Sequence, residues 1–168
     1  MLRLNLGAAD WQPEGFVPVD IAGANPVDLC VHPWPWADGA VDEILASHIL
    51  EHFDRCEGQR FLEECRRVLP RGGRLRLAVP DLDKFIDCRL AGDYAPLGGY
   101  EWTSLDWLGG GDLRETRPGW RHRYFYTWEN LQAKLYHAGF DWVVRRGEPG
   151  AYDNPAYAAI SLYVDAIR

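Results

Sequence analysis

Forty consecutive residues, Val41 to Pro80, leave this chain little choice of fold; they read VDEILASHILEHF, then DRCE, then GQRFLEECRRVLPRGG and RLRLAVP. Val41, Ile44, Leu45 and Ala46 make an apolar run of strand length, ended by the polar pair Ser47 and His48. The helix that follows carries Phe61, Leu62, Cys65, Val68 and Leu69, spaced i, i+1, i+4, i+7 and i+8, as one apolar stripe. Pro70 cannot continue a helix, and Gly72-Gly73 supply the positive φ that turns the chain back. Leu75, Leu77 and Val79 then form a second strand. Strand, helix and strand in one short segment make a βαβ unit, so the two strands run parallel with a right-handed crossover. Open α/β sheets hold ligands at the carboxyl ends of their strands, which brings Ser47, His48 and Asp81 to one edge.

Around this unit the remaining strands fall into place. The first is Leu2 to Leu6, running into Gly7-Ala8-Ala9-Asp10; the second is Phe16 to Asp20; the third is Val27 to Val31. Nine residues separate the first two and six the next two. Six residues reach about 20 Å when extended, too little to wind a crossover helix as well. One sheet face is thus short of helices, and if apolar it calls for a cover, most simply a second copy of the chain. HPWPWADGAVDE is an ordered loop and turn. Asp81 to Ala91 reads as a helix with Leu82, Phe85, Ile86 and Leu90 on one side. Residues 92–123 are an aromatic-rich insertion without a sustained period, of the kind that serves as a lid, a binding loop or a subunit contact. Thr127 then caps a helix bearing Trp128, Leu131, Leu135 and Ala138, closed by Gly139. Strands Asp141 to Arg146 and Tyr157 to Ala166, joined without a helix, are antiparallel.

Composition narrows the classes. At 168 residues with 47% hydrophobic content, the chain suits one domain, residues 1–168. A net charge of −7 and a pI near 5.2 argue against a nucleic-acid surface, whose affinity comes from a basic stripe. Cys30, Cys56, Cys65 and Cys88 show no CxxC spacing and suit a reducing, cytoplasmic setting. No stretch approaches the ~18 apolar residues of a membrane span, and MLRLNLG reads as a strand and not as the basic n-region and long apolar h-region of a leader.

LRLNLGAAD, GFVPVDI, PWPWADGAVDEILASHILEHF and FLEECRRVLPRGGRLRLAVPDL, taken in order, resemble the class I S-adenosylmethionine-dependent methyltransferases, in particular the compact type 11 branch. HRYFYTWENLQAKLYHAGF is similar to the later segment of that family. The resemblance implies an α/β fold with a Rossmann-like sheet of order 3-2-1-4-5-7-6, the last strand antiparallel; the short connections add a reduced helix set on one face. It implies S-adenosylmethionine as cofactor and S-adenosylhomocysteine as its product. Gly7 and Ala8 would lie against the methionine part, Asp20 would take the ribose hydroxyls, and Ile21 would wall the adenine. Asp28 and Leu29 fall on the adenine side, and Ser47 and His48 near the methionine end. Asn5 stands where the family has an acid, and Ala9 where it has a later glycine. A carboxylate such as Asp20 suits a diol because it accepts two charge-assisted hydrogen bonds at once.

Chemistry at the acceptor rests on fewer signals. The leaving thioether is neutral, so alignment supplies most of the acceleration, and a base is needed only where the acceptor must lose a proton. His122, beside the insertion, is the candidate catalytic base. Trp102, Trp107, Trp120 and Tyr124 are candidate substrate contacts, with packing or subunit contact as the alternative use of these rings. Three readings stay open: methyl transfer to a small-molecule acceptor, cofactor binding without turnover, and zinc hydrolysis. The last rests on the letters His48-x-x-Glu51-His52, which match an inverted zinc-peptidase motif. That motif needs both histidines on one helix, whereas His48 directly follows a strand, so no metal ligand is assigned.

Overall fold

A computed structural model describes residues 1–23, 26–98, 109 and 121–168. Among the described residues six strands form one sheet: β1 Arg3–Leu6, β2 Val17–Val19, β3 Glu43–Ser47, β4 Arg74–Pro80, β5 Trp142–Arg146 and β6 Ser161–Ile167. Their order is β2-β1-β3-β4-β6-β5. β2, β1, β3 and β4 pair in parallel, and β6 is antiparallel to both neighbours. Among the described residues this is the strand order that the resemblance implies, without its third strand. Val27 to Val31 does not form the expected third strand; a single bridge joins Asp20 and Pro26. The chain turns away because the Asp28 carboxylate accepts from Cys30 N at 2.9 Å and Val31 N donates to the Asp28 carbonyl at 3.0 Å. Such a side-chain turn competes with the sheet ladder for the same backbone groups.

The organising unit forms as the sequence dictates. Helix α1, Arg55–Val68, starts at a capping box: Asp54 accepts from Cys56 N and Glu57 N, and the Glu57 side chain accepts from Asp54 N. Its stripe of Phe61, Leu62, Cys65 and Val68 is fully buried against Ile44, Ala46, Leu75 and Leu77, each large side chain stabilising by about 1.5–3 kcal/mol. Helix α3, Trp128–His137, is capped by Thr127, and Leu131 and Leu135 complete this face of the core. Arg67, near the end of α1, pins the loop before β3 by bonding the carbonyls of Trp34 and Trp36 and the Asp38 carboxylate. Helix α2, Leu82–Ala91, buries Phe85 and Cys88 against Leu97 and Ile160. Ile86 and Leu90 are exposed rather than packed, because this short helix at the sheet's end meets the protein along a narrow face only. The last strand begins at Ser161 instead of Tyr157, since Asn154 caps a 3-10 turn over Pro155–Tyr157.

No crossover helix lies between β1 and β2, or among the described residues between β2 and β3, so the second sheet face lacks helical cover there as expected. A row of paired charges runs across it. Arg3 and Arg76 both pair with Glu43, at 2.7 and 2.6 Å. Arg76 continues to Asp165 at 3.7 Å, Asp165 to Arg146 at 2.9 Å, and Arg146 to Asp153 at 2.7 Å. The chain's own rings cover the row: the Arg3 guanidinium lies 4.0 Å from the Phe16 centroid and 4.6 Å from that of Tyr152. No helix among the described residues is long and apolar enough to cross a membrane.

Removing Glu43 takes the carboxylate from shielded Arg3 and leaves Arg76 with Asp165 at 3.7 Å. Glu43→Ala is expected to lower unfolding free energy by about 2 kcal/mol, less than the roughly 3–5 kcal/mol lost when a fully buried pair is broken. Denaturant unfolding measures it, and a loss near zero would show the row to be solvated in practice.

Candidate functional site

Turns after β1, β2 and β3 meet at the carboxyl edge of the sheet. Leaving β1, the chain turns at Gly7 with φ +65°, and the N–H groups of Gly7 and Ala8 both donate to the Val19 carbonyl, at 2.9 and 3.3 Å. A side chain at position 7 is excluded by that φ and by Ile49, whose side-chain carbons would lie 2.7–2.8 Å from its Cβ. The face opened by the glycine is thus filled from within by Ile49. Asn5, buried on β1, donates its side-chain amide to the Trp11 carbonyl at 2.6 Å and so closes the turn from the other side.

Asp20 ends β2 beside that turn. One carboxylate oxygen accepts from Ala9 N at 3.1 Å and the other from Ile21 N at 2.7 Å. Each oxygen keeps a second lone pair for a further donor. Ile21 is 72% exposed, so an oriented carboxylate and a bare apolar side chain stand together, an acceptor for a diol next to a surface for a flat apolar ring.

A second cluster follows β3. Ser47 ends the strand, and His48 takes the left-handed region at φ +54°, a strained setting for a non-glycine residue of the kind that gathers at functional sites. The His48 ring lies 4.3 Å from that of Tyr157. Its Nε2 is 2.7 Å from Ser161 Oγ, whose hydroxyl donates to the Tyr157 carbonyl. Nδ1 lies 3.2 Å from Glu51 Oε1. Glu51 is 1% exposed, yet neither of its oxygens has a hydrogen bond of good geometry. Burial alone would push this carboxyl up; the hydrogen-bonding and charge of His48, followed by the charges of His52 and His122, outweigh burial and hold it below its ordinary 4.5. His122 is shielded, its side chain 5% exposed with Nε2 3.9 Å from Glu51 Oε1. Arg123 N and Tyr124 N donate to the Glu51 carbonyl, which fastens the segment bearing His122 to this turn. His52 packs edge-on against His122, with centroids 5.1 Å apart.

Other residues singled out in the sequence serve different ends. Leu29 lies in the main core, its carbonyl accepting from Trp34 Nε1, and the Asp28 carboxylate makes the turn described above. Asp81 is fully buried, caps α2 and pairs with Arg145 at 3.1 Å; burial pushes its carboxyl up despite the nearby charges of Arg145 and Lys84. Tyr124 packs against Tyr126 and under the Lys134 ammonium. Trp102, Trp107 and Trp120 lie outside the described residues. What sequence reasoning missed is the convergence on Glu51, together with Ile49, Tyr157 and Ser161. Glu51 stood in plain view within HILEH, but no local pattern marks it as buried. Ser161 arrives from the far end of the chain with no signal at all.

The family model described as a methyltransferase domain matches residues 20–77. No curated protein matches the sequence at a significant level. Among solved structures, the chain is similar to a SAM-dependent methyltransferase from Thermotoga maritima, described as a possible histamine N-methyltransferase, at 15% identity and TM-score 0.62, covering 99% of this chain and 81% of that one. A SAM-dependent methyltransferase from Archaeoglobus fulgidus is similar at 14% identity and TM-score 0.61, with 99% and 85% covered. PigF with SAH (S-adenosylhomocysteine) is similar at 15% identity and TM-score 0.53, covering 86% of this chain and 35% of that one. The fold is thus that of the class I, Rossmann-like methyltransferases.

A carboxyl held below its ordinary value stabilises the native state above that value, and the contribution is lost as pH falls through the lowered native one. Glu51 is such a group. Glu51→Gln is therefore expected to flatten the loss of stability that the parent protein should show below about pH 4.5, checked by unfolding of both at a series of acid pH values. Identical acid limbs would show that Glu51 does not carry the charge.

Proposed function

We propose that the chain binds S-adenosylmethionine at the carboxyl edge of β1, β2 and β3 and transfers its methyl group to a small-molecule acceptor. One observation carries the reading: the Asp20 carboxylate, oriented by Ala9 N and Ile21 N and flanked by exposed Ile21, offers what the sugar diol and base of a nucleoside need. The donor set fits the cofactor, and the match of residues 20–77 to a methyltransferase model supports it. Asp20 would hold the ribose and Ile21 the adenine. Ala8 and the turn at Gly7 would face the methionine part, with Ser47 and His48 completing that end. Asn5 would act through the turn it closes. Asp28 stays a candidate on the adenine side; Leu29 would support that wall from the core.

The bound cofactor supplies an activated methyl on a cationic sulfur. The chain's task is alignment, with proton removal where the acceptor requires it. His122 would take that proton. Its imidazole lies beside a buried carboxylate that stabilises the imidazolium formed, and a base needs such backing in a water-poor site. An acidic chain with its described arginine row turned inward suits a small acceptor better than a polyanion. Four free cysteines, two of them buried, fit work in a reducing compartment. Residues 1–168 would act as one unit. Zinc hydrolysis through His48, Glu51 and His52 loses ground, because His48 stands outside the single 3-10 turn Leu50–His52 and its two nitrogens face Glu51 and Ser161.

Calorimetric titration with S-adenosylhomocysteine is expected to show one site per chain. Asp20→Ala should weaken it by about tenfold or more, the worth of a charge-assisted hydrogen bond. No binding by folded protein, or unchanged affinity in Asp20→Ala, would overturn the reading.

A further inference from the structure

Glu51, His52 and His122 have a property that methyl transfer does not require. One ligand atom from each residue lies within 4.8 Å of the other two, near the spacing of about 3.4 Å that ~2.1 Å bonds at tetrahedral angles demand. The carboxylate among them is 1% exposed and both its oxygens lack a well-formed hydrogen bond. A buried charge in that condition is costly unless something pairs with it. Among the described residues its neighbours are imidazoles, and imidazole either takes a proton or gives its lone pair to a metal. His52 is half-exposed, which leaves a way in from solvent. The segment carrying His122 is anchored to the turn by the backbone bonds to the Glu51 carbonyl, so the three groups are assembled before any ligand arrives.

We infer that Glu51, His52 and His122 form a binding site for a divalent transition-metal ion of the Zn²⁺ type, held by one carboxylate and two imidazoles. Two nitrogens and one oxygen suit a borderline cation and disfavour Mg²⁺ or Ca²⁺, which take oxygen ligands. Three protein ligands leave a further position open. This is a different set from His48-x-x-Glu51-His52: His122 comes from a segment about seventy residues later and takes the place that the linear motif gives to His48. One consequence rests on the methyl-transfer reading, although the site itself does not. An imidazole lone pair cannot bind a metal and accept a proton together, so an ion here would hold His122 out of proton transfer until it was removed.

The test uses untagged full-length protein, stripped with chelator and desalted, then titrated with Co²⁺ while its visible absorption is followed, with Zn²⁺ as competitor. One Co²⁺ per chain, displaced by Zn²⁺, is expected. His52→Gln and His122→Gln should each weaken uptake by more than about tenfold, at least what loss of an outer-shell partner costs. The exposed His137→Gln should bind as the parent does, and His48→Gln, which removes a neighbour of Glu51 and not a ligand, should weaken uptake less than His122→Gln does. Circular dichroism of each variant confirms folding, and half-exposed His52 is the substitution least able to disturb it. Absence of uptake by the parent, uptake by His52→Gln and His122→Gln equal to the parent's, or loss in His48→Gln with retention in His122→Gln would each overturn the inference. Titration of the same samples with S-adenosylhomocysteine separates the two proposals: metal uptake without nucleoside binding sinks methyl transfer alone, and the reverse sinks the metal site alone.

Discussion

Burial of one stripe of α1 against the parallel strands β1, β3 and β4 is the constraint on which the rest depends. Phe61, Leu62, Cys65 and Val68 can leave water only if β3 and β4 lie side by side beneath them, and a right-handed crossover then places both carboxyl ends at one edge. The turns after β1 and β2 reach the same edge because those strands pair in parallel with β3, directly and through β1. The collected groups, Asp20, Ser47, His48 and Glu51, are thus brought to one edge by packing along the strands that precede them. Substitutions in α1 would disturb the edge without touching it.

The second face carries a row of paired charges where the sheet has few helices. Arg3, Glu43, Arg76, Asp165, Arg146 and Asp153 alternate in sign across it, mostly shielded, with Phe16 and Tyr152 over the first cation. Each charge has an opposite neighbour, so the desolvation cost is offset locally. The row also ties the ends of the chain together, since β1 and β6 lie on opposite sides of β3 and β4. Stability of this face therefore rests on charge pairing where the other rests on apolar burial.

Much of the fold was legible because its strongest signals are local. The α1 stripe, Thr127 as cap and the antiparallel closing strands all follow from spacing and turn chemistry. The capping box at Asp54 and Glu57 was equally readable and extends α1 a full turn earlier than the apolar stripe does. The third strand failed because a short apolar run said nothing of the Asp28 turn within it. Ile86 and Leu90 failed because helical period gives a face but not how much of it is covered. At the site, Asp20 was legible as the end of a strand beside a glycine turn. Gly7 was legible as a turn, but not that Ile49 fills the space above it. Glu51 could not be seen, because burial of a carboxylate among three histidines is decided by segments far apart in sequence.

The claim at the centre is that the carboxyl edge of β1, β2 and β3 receives a nucleoside through Asp20. A crystal structure determined with S-adenosylhomocysteine tests it most directly. The expected result places the ribose hydroxyls on the Asp20 carboxylate and the adenine against Ile21. Clear density for the nucleoside elsewhere on the chain, with the Asp20 oxygens left to Ala9 and Ile21 alone, would contradict it.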